Sequence, residues 1–406
     1  MKHARDLTLE VFELPAHEMA APDDWDAHIR QTGAEVYFLT GWQDAWWQSY
    51  GTGFAASRRP VCFILRDGAR IVAALPFCIE TIYAGPLPVR IARLAGIDPN
   101  FAIMTLPIAA GYEAGVLSAV LEHLTGQMGC AGVSLSPLSE RAPQLPAIRE
   151  VASSGGHCIL RDQSDRGHTL MPLPDTPDAF MAALSKSRRR EVRRDIKRLT
   201  EEQPLRNVSS TPETSPEVAD AMMDRFINLH TSQWEAAGKG GHFLDWRPAA
   251  QFYRALLHRL APEGRAAIDE QWLGDTLLSS QLRYATEDKA YWWLNARETA
   301  PPLGNAGLGR VGLVERVDEL IRAGTRMIEA GAGEYEYKLS YGGELVPMHS
   351  VVVARASFGA RLRMKALLLW ADALHLGYYR IWFLKLRPRL GTRPRPLWTR
   401  WIRSRL

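Results

Sequence analysis

The apolar positions along the chain follow two periods. In FLTGWQDAWWQSY (38–50), Trp42, Ala45, Trp46 and Ser49 recur at helical spacing behind Thr40, so the stretch predicts a helix with Thr40 as its N-cap. Two strand-like runs follow, VCFIL (61–65) and RIVAALPFCIE (70–80). They are separated by Arg66-Asp67-Gly68-Ala69, whose Asp-Gly is a hairpin signal. A helix near 111–128 and a short strand at 132–135 complete an α+β unit with an antiparallel sheet.

A second cycle begins near Gly167. The strand HTLMPL leads into TPDAFMAALSKSRRREVRRDIKRL, where Thr176 suits the N-cap and Pro177 the first helical position. Helices are expected at 216–237 and 248–261, and strands at 265–272, 276–285 and 288–294, the first two joined by Leu273-Gly274-Asp275. The loop GNAGLGRVG (304–312) runs into the helix VERVDELIRAG, and YEYKLSYG (335–342) reads as a last strand. The two halves have comparable outlines, which gives an N-terminal module over 1–165, a C-terminal module over 166–354 and a tail over 355–406.

Charge separates the tail from the rest. From Arg355 to Leu406 there are thirteen Lys or Arg against one acid, Asp372, while the other residues hold 36 bases and 44 acids. The tail mixes Leu, Trp and Tyr with Arg, and Asp372, His375 and Arg380 interrupt its longest apolar section. A membrane span is thereby disfavoured, and a basic helix lying on an anionic lipid surface or another polyanion is expected. Docking onto a partner or onto the protein itself, or a solvated tail, are the competing readings. Cys62, Cys78, Cys130 and Cys158 form no C-x-x-C pair, and residues 1–30 contain no secretory apolar run. Both features favour a reducing, cytoplasmic setting, with peripheral contact at the inner membrane face through the tail.

Several stretches in order, FLTGWQDAWWQSYG with a hairpin ending VAALPF, then SKSRRREVRRDIKRL, LHTSQWEAAGKGG, WLGDTLLSSQL and IEAGAGEYEYKLSYG, resemble the GNAT-like acyltransferases of the CelD/BcsL type, cousins of the FemAB aminoacyl transferases. The resemblance covers roughly residues 10–345. It implies an α/β (α+β) fold of two tandem GNAT-like domains with mixed, mostly antiparallel sheets. It also implies transfer of an acyl group from acetyl-CoA or another acyl-CoA to an amine or hydroxyl, in cell-surface polysaccharide or envelope metabolism. Two positions depart from the family pattern: Glu329 stands where Asp is usual, and GNAGLGRVG replaces a serine-proline-glycine loop.

Each motif has a functional and a plainer reading. Glycines before a helix offer backbone N–H groups and the positive dipole end to a pyrophosphate. Gly307, Gly309 and Gly312 are the expected cofactor contacts, with Arg310 pairing a phosphate, and an ordinary connection is the alternative. The resemblance places Tyr337 and Lys338 beside the reacting groups, where Lys338 would stabilise charge on the thioester carbonyl. Strand alternation puts Glu334 and Glu336 on one face, making Glu336 a candidate base unless both carboxylates are merely solvated. His230 and Trp234, four apart on one helix face, form either a wall of the acceptor pocket with an imidazole for proton transfer or a core aromatic pair. No Cys or further His stands at metal-ligand spacing, so no metal is expected.

The run 185–199 carries eight bases in fifteen positions. Val192, Ile196 and Leu199 form an apolar seam that Arg188 continues, so Arg188, and less strongly Arg189, is expected to meet a phosphate-bearing ligand. The other bases spread over solvent with Glu191 and Asp195 as i,i+4 partners. Two other functions compete. One is FemAB-like transfer from charged tRNA, against which stands the lack of a heptad run long enough for a coiled-coil arm. The other is polyanion or nucleic-acid binding, which the acidic body disfavours.

Overall fold

A computed structural model describes residues 7–51, 58–97, 102–200, 205–237, 241–246, 248–300, 307–390 and 397–406. Its contacts divide the chain into two units, Met1–Arg166 with Pro347–Leu406, and Gly167–Val346. The strands in chain order are β1 (Thr8–Phe12), β2 (Arg59–Asp67), β3 (Arg70–Ala84), β4 (Leu87–Leu94), β5 (Gly132–Ser134), β6 (Leu138–Ser139) and β7 (His157–Pro172), which carries the chain into the second unit. There follow β8 (Leu205–Ser209), β9 (Ala266–Leu273), β10 (Thr276–Ala285), β11 (Lys289–Arg297), β12 (Met327–Ala332) and β13 (Glu344–Arg355), which returns it to the first.

In the first unit the order is β1-β2-β3-β4-β5-β13, with β6 also on β13, and only β4 and β5 run parallel. The Asp-Gly hairpin forms as expected, with Asp67 opposite Arg70 and Gly68 at φ 60°. The helix expected at 38–50 spans Thr40–Trp46 and widens to a π turn over Trp47–Gly51. Thr40 is not its cap. Its N–H and hydroxyl each donate to the Asp26 carboxylate at 2.8 Å, so a residue fourteen positions back supplies the capping oxygen.

The segment from 355 onward is not a separate tail. Its helix Phe358–Ala373 buries Met364, Leu367 and Leu368 against Ile82, Val89, Ile91 and Val352 of the first unit. The last helix, Trp398–Ser404, is tied down by a buried carboxylate. Glu80 meets Arg93 at 3.0 Å and Arg58 and Arg403 at 3.5 and 3.3 Å, and Arg93 also donates to the carbonyls of Arg403 and Arg405. Burial alone would push the Glu80 carboxyl up, but the three guanidiniums outweigh it and hold it below its ordinary value.

In the second unit β7-β12-β11-β10-β9-β8 repeats the plan, again with one parallel pair, β11 and β12. Thr176 accepts from the Ala179 N–H and caps Pro177–Ala183 as its sequence predicts. The chain then breaks at Leu184, and the basic run starts a helix of its own, Lys186–Thr200. That helix buries Val192 in a core formed by Met171, Phe180, Ala290, Val317 and Ile328, while Leu199 packs on Leu278, Leu308 and Val311.

Glu80→Ala leaves three guanidiniums beside a buried apolar sheet, and removing one partner of a buried ion pair typically costs about 3–5 kcal/mol. Urea unfolding should show a loss of that size; a loss near that of an exposed pair, about 0.5 kcal/mol, would contradict the lock.

Candidate active site

The glycine loop explains itself first. Gly304–Ala306 lie outside the described residues, but Gly307 has φ +76°, a left-handed conformation open to glycine, and begins the helix Leu308–Arg322. A side chain there would also run into the carboxylate of Asp195. Asp195 is fully buried, contrary to its expected place on the solvent face, and accepts from Arg310 Nε at 3.0 Å and Arg194 Nε at 3.3 Å. Burial pushes its carboxyl up, and Arg310 and Arg194 more than reverse this, holding it below the usual range. A negative group at a helix N-terminus is favourable, so the ion pair stitches the basic helix to the glycine helix. Arg310, expected to meet a phosphate, thus commits Nε and Nη2 to Asp195 while still lining the neighbouring cleft.

That cleft, about 530 Å³, lies within the second unit between the start of the glycine helix and strands β9 to β11. Gly307, Gly309, Arg310 and Gly312 line one wall, Gln271, Ser280, Trp292 and Asn295 another, and Tyr337 and Tyr341 complete it. A side chain at Gly312 would press on Ser279 Oγ at 3.3 Å and Gln271 Oε1 at 3.6 Å, whereas Gly309 has only ordinary clearance, to Arg297 at 4.0 Å.

Four buried polar atoms of the lining residues have no hydrogen-bond partner among the described residues: Gln271 Oε1, Ser280 Oγ, Trp292 Nε1 and Tyr341 Oη. Their residues are between 1% and 6% exposed. An unpaired buried group costs about 1–3 kcal/mol, so four around one cleft need an explanation, and a polar ligand completing them is the direct one.

The sheet opens at the same place. β11 and β12 pair over three rungs only, ending at Tyr291 opposite Glu329, and Trp292 is the next residue along. β12 then turns away through Gly331 and Gly333, both at positive φ. The stretch YEYKLSYG is consequently not a strand. The glycines end the extended run, and Glu336–Ser340 forms a short helix, so the alternation that grouped Glu334 with Glu336 does not exist. Glu336 is exposed and off the cleft lining, while Tyr337, 45% exposed, is on it. Lys338 is buried, its Nζ donating to the carbonyls of Gly331 and Ala332 at 3.2 and 3.3 Å. Its ammonium satisfies the carbonyls exposed where the ladder opens, and burial lowers it to about 8.

Arg188 pairs with Glu191 at 2.8 Å, an i,i+3 contact, and holds its guanidinium 5.5 Å over the ring of Tyr341. It braces a cleft residue from behind. Arg189 donates to the Ala182 carbonyl and finishes the preceding helix. His230 accepts the Trp234 indole N–H on Nε2 at 3.0 Å among Phe226 and Phe243, and neither His230 nor Trp234 lines the cleft. Burial pushes His230 down to about 4, which keeps it neutral. Among the described residues no group of three or more His, Cys, Asp or Glu is arranged to hold a metal.

Sequence reasoning missed Asp195, Tyr341, Gln271, Ser280 and Trp292. For Asp195 the signal was present: it lies three after Val192 and four before Leu199, on the apolar seam itself.

Residues 186–339 match the acetyltransferase (GNAT) domain family, and this part of the chain is an acyltransferase domain. FemX is similar in fold, with a TM-score of 0.61 at 10% identity over 88% of this chain and 99% of that one. A conserved protein of unknown function from Bacteroides thetaiotaomicron VPI-5482 follows at 0.51 and 10% identity, covering 86% and 100%. At these identities the likeness is one of fold, a mixed α/β arrangement. No curated protein sequence matches.

Gly307→Ala should lower unfolding stability by about 1–3 kcal/mol through strain and collision with Asp195, whereas Gly309→Ala, in the first turn of the helix with clearance, should be neutral or stabilising. Equal effects in denaturant titrations would contradict this placement. His230 gives a pH signature: the unfolded chain takes a proton near 6.5, the fold not until about 4. Its contribution is therefore complete above pH 6.5 and is lost as pH falls toward 4, at up to about 1.4 kcal/mol per pH unit. In urea titrations His230→Gln should flatten that part of the profile; an unchanged slope would contradict burial of the neutral ring.

Proposed function

We propose that this cleft receives an acyl-CoA donor, acetyl-CoA in the simplest case, together with a hydroxyl- or amine-bearing acceptor of cell-surface polysaccharide or envelope metabolism, in the cytoplasm. The observation that carries the reading is the set of four unpaired buried polar atoms beside a glycine helix start. Their types narrow the acceptor. Gln271 Oε1 only accepts, Trp292 Nε1 only donates, and the Ser280 and Tyr341 hydroxyls do both. A hydroxyl-rich molecule satisfies that mixture, whereas a carboxylate or phosphate alone would leave Gln271 Oε1 unpaired.

The chemistry needs placement, oxyanion donors and a route for one proton. The acceptor's oxygen or nitrogen bonds to the thioester carbonyl carbon, the carbon–sulfur bond breaks, and the acceptor's proton ends on the departing sulfur. Backbone N–H groups at the start of Leu308–Arg322 suit a pyrophosphate, with Arg310 alongside. Trp292 Nε1 and the Ser280 hydroxyl are the available donors for charge on the carbonyl oxygen, and the Tyr341 hydroxyl for the proton. Burial raises the pKa of Tyr341, against the opposing pull of Arg188 and Arg310, so the phenol stays protonated and able to donate. Lys338, bonded to carbonyls at the strand opening, holds the cleft's shape.

Purified protein with acetyl-CoA and oligosaccharide acceptors should release free thiol. Tyr341→Phe is the decisive variant, because deleting an unpaired buried hydroxyl leaves stability equal or raised by up to about 1 kcal/mol. Thiol release should nevertheless fall at least about tenfold if that hydroxyl serves the reaction. Full activity in that variant would remove the proton role. Arg188→Ala should impair turnover more than Lys197→Ala, and equal mild effects would return the basic helix to a solvated surface. No binding of CoA by calorimetry, with aminoacyl transfer from charged tRNA instead, would establish the FemAB-like alternative.

A further inference from the structure

The C-terminal helices bury one face and leave the other apolar. On Phe358–Ala373, Met364, Leu367 and Leu368 pack into the first unit's core, while Phe358, Leu362 and Leu369 are 83%, 57% and 70% exposed. At 100° per residue those three lie within about 40° of one another, a single outward line. In the wider helical turn that follows, Leu374–Leu386, Leu376, Ile381 and Leu384 are also exposed, at 58%, 43% and 52%. Isolated exposed leucines are ordinary; six large apolar side chains exposed along one helical segment, three of them in one file, are not.

The charge around the file has one sign. Arg361, Arg363, Lys365, Arg380, Lys385 and Arg389 are exposed on the same stretch. Its one acid, Asp372, is bonded by Arg161 at 2.7 and 2.8 Å. Aromatic packing joins the helices beneath: Tyr379 stacks on Trp401 at 4.2 Å and 7°, His375 on Tyr379 at 5.4 Å, and Phe383 packs on Trp398 at 4.9 Å. No described helix is long and apolar enough to cross a membrane.

We propose that this face is a membrane-docking surface that lies on an anionic lipid bilayer, its apolar file inserted at the headgroup boundary and its bases on lipid phosphates. Charge complementarity decides the occupant. Two copies of the face would bring like charges together, whereas an anionic lipid surface supplies both an apolar layer and negative charge. Docking would bring the enzyme to acceptors at the membrane, and it is independent of the donor or acceptor the cleft takes.

Flotation of the full chain with vesicles tests it. The protein should float with phosphatidylcholine vesicles containing phosphatidylglycerol and much less with phosphatidylcholine alone. Raising salt from about 0.05 to about 0.5 M should weaken binding several-fold, because screening shortens the reach of the bases. The double variant Leu362→Glu with Leu369→Glu should lose at least about tenfold of the binding while its thermal unfolding stays as in the parent, since both side chains are exposed. Three outcomes would overturn the proposal: no flotation with anionic vesicles at low salt, undiminished flotation of the double variant, or a concentration-dependent dimer in sedimentation that the double variant abolishes.

Discussion

A buried carboxylate organises the second unit. Asp195 sits on the apolar seam of a helix otherwise crowded with bases, takes the guanidinium of Arg310, and occupies the space a side chain at Gly307 would need. Without Arg310 the buried carboxylate would keep only bases of its own helix, Arg194 among them, and the ion pair joining the basic helix to the start of the glycine helix would be lost. The left-handed turn at Gly307, the direction of Arg310 and the bracing of Tyr341 by Arg188 all follow from how closely these helices approach.

The cleft is an unfinished piece of folding. Close to the cleft the unit pairs its buried charges: Asp269 with Arg283 and Arg316, Glu270 with Arg225, Lys338 with two carbonyls. On the cleft-lining residues Gln271, Ser280, Trp292 and Tyr341, by contrast, an amide oxygen, a hydroxyl, an indole N–H and a phenol are buried with no hydrogen-bond partner among the described residues. The parallel strands separate at that level, so the sheet's own hydrogen bonding ends where ligand contact would begin. A site can keep such groups unpaired when the rest of the core over-determines their positions, and the aliphatic layer from Met171 through Val317 does so here.

Much of this was legible from sequence where local chemistry is decisive. The Asp-Gly hairpin, the Thr176 cap and the seam of Val192 and Leu199 follow from spacing alone, and the order of motifs pointed to the right domain class. The errors share a cause. YEYKLSYG alternates like a strand, but Gly331 and Gly333 at positive φ end the extended backbone before it begins. Thr40 looked like a cap because its true partner, Asp26, is remote in sequence. For His230 the sequence left a core aromatic and a proton-transferring imidazole equally open, and burial among aromatics holds the ring neutral. Gln271, Ser280 and Trp292 carry no motif, and their importance lies in being unpaired, a property of tertiary structure alone.

The claim that the Asp195–Arg310 pair builds the donor end of the cleft is tested most directly by a double-mutant cycle on CoA affinity, measured calorimetrically for Asp195→Asn, Arg310→Gln and both together. Residues acting as one unit couple by about 0.5–3 kcal/mol. Each single variant should therefore weaken binding about tenfold, with the double variant no weaker than either. Additive losses, or unchanged affinity in all three, would contradict the account.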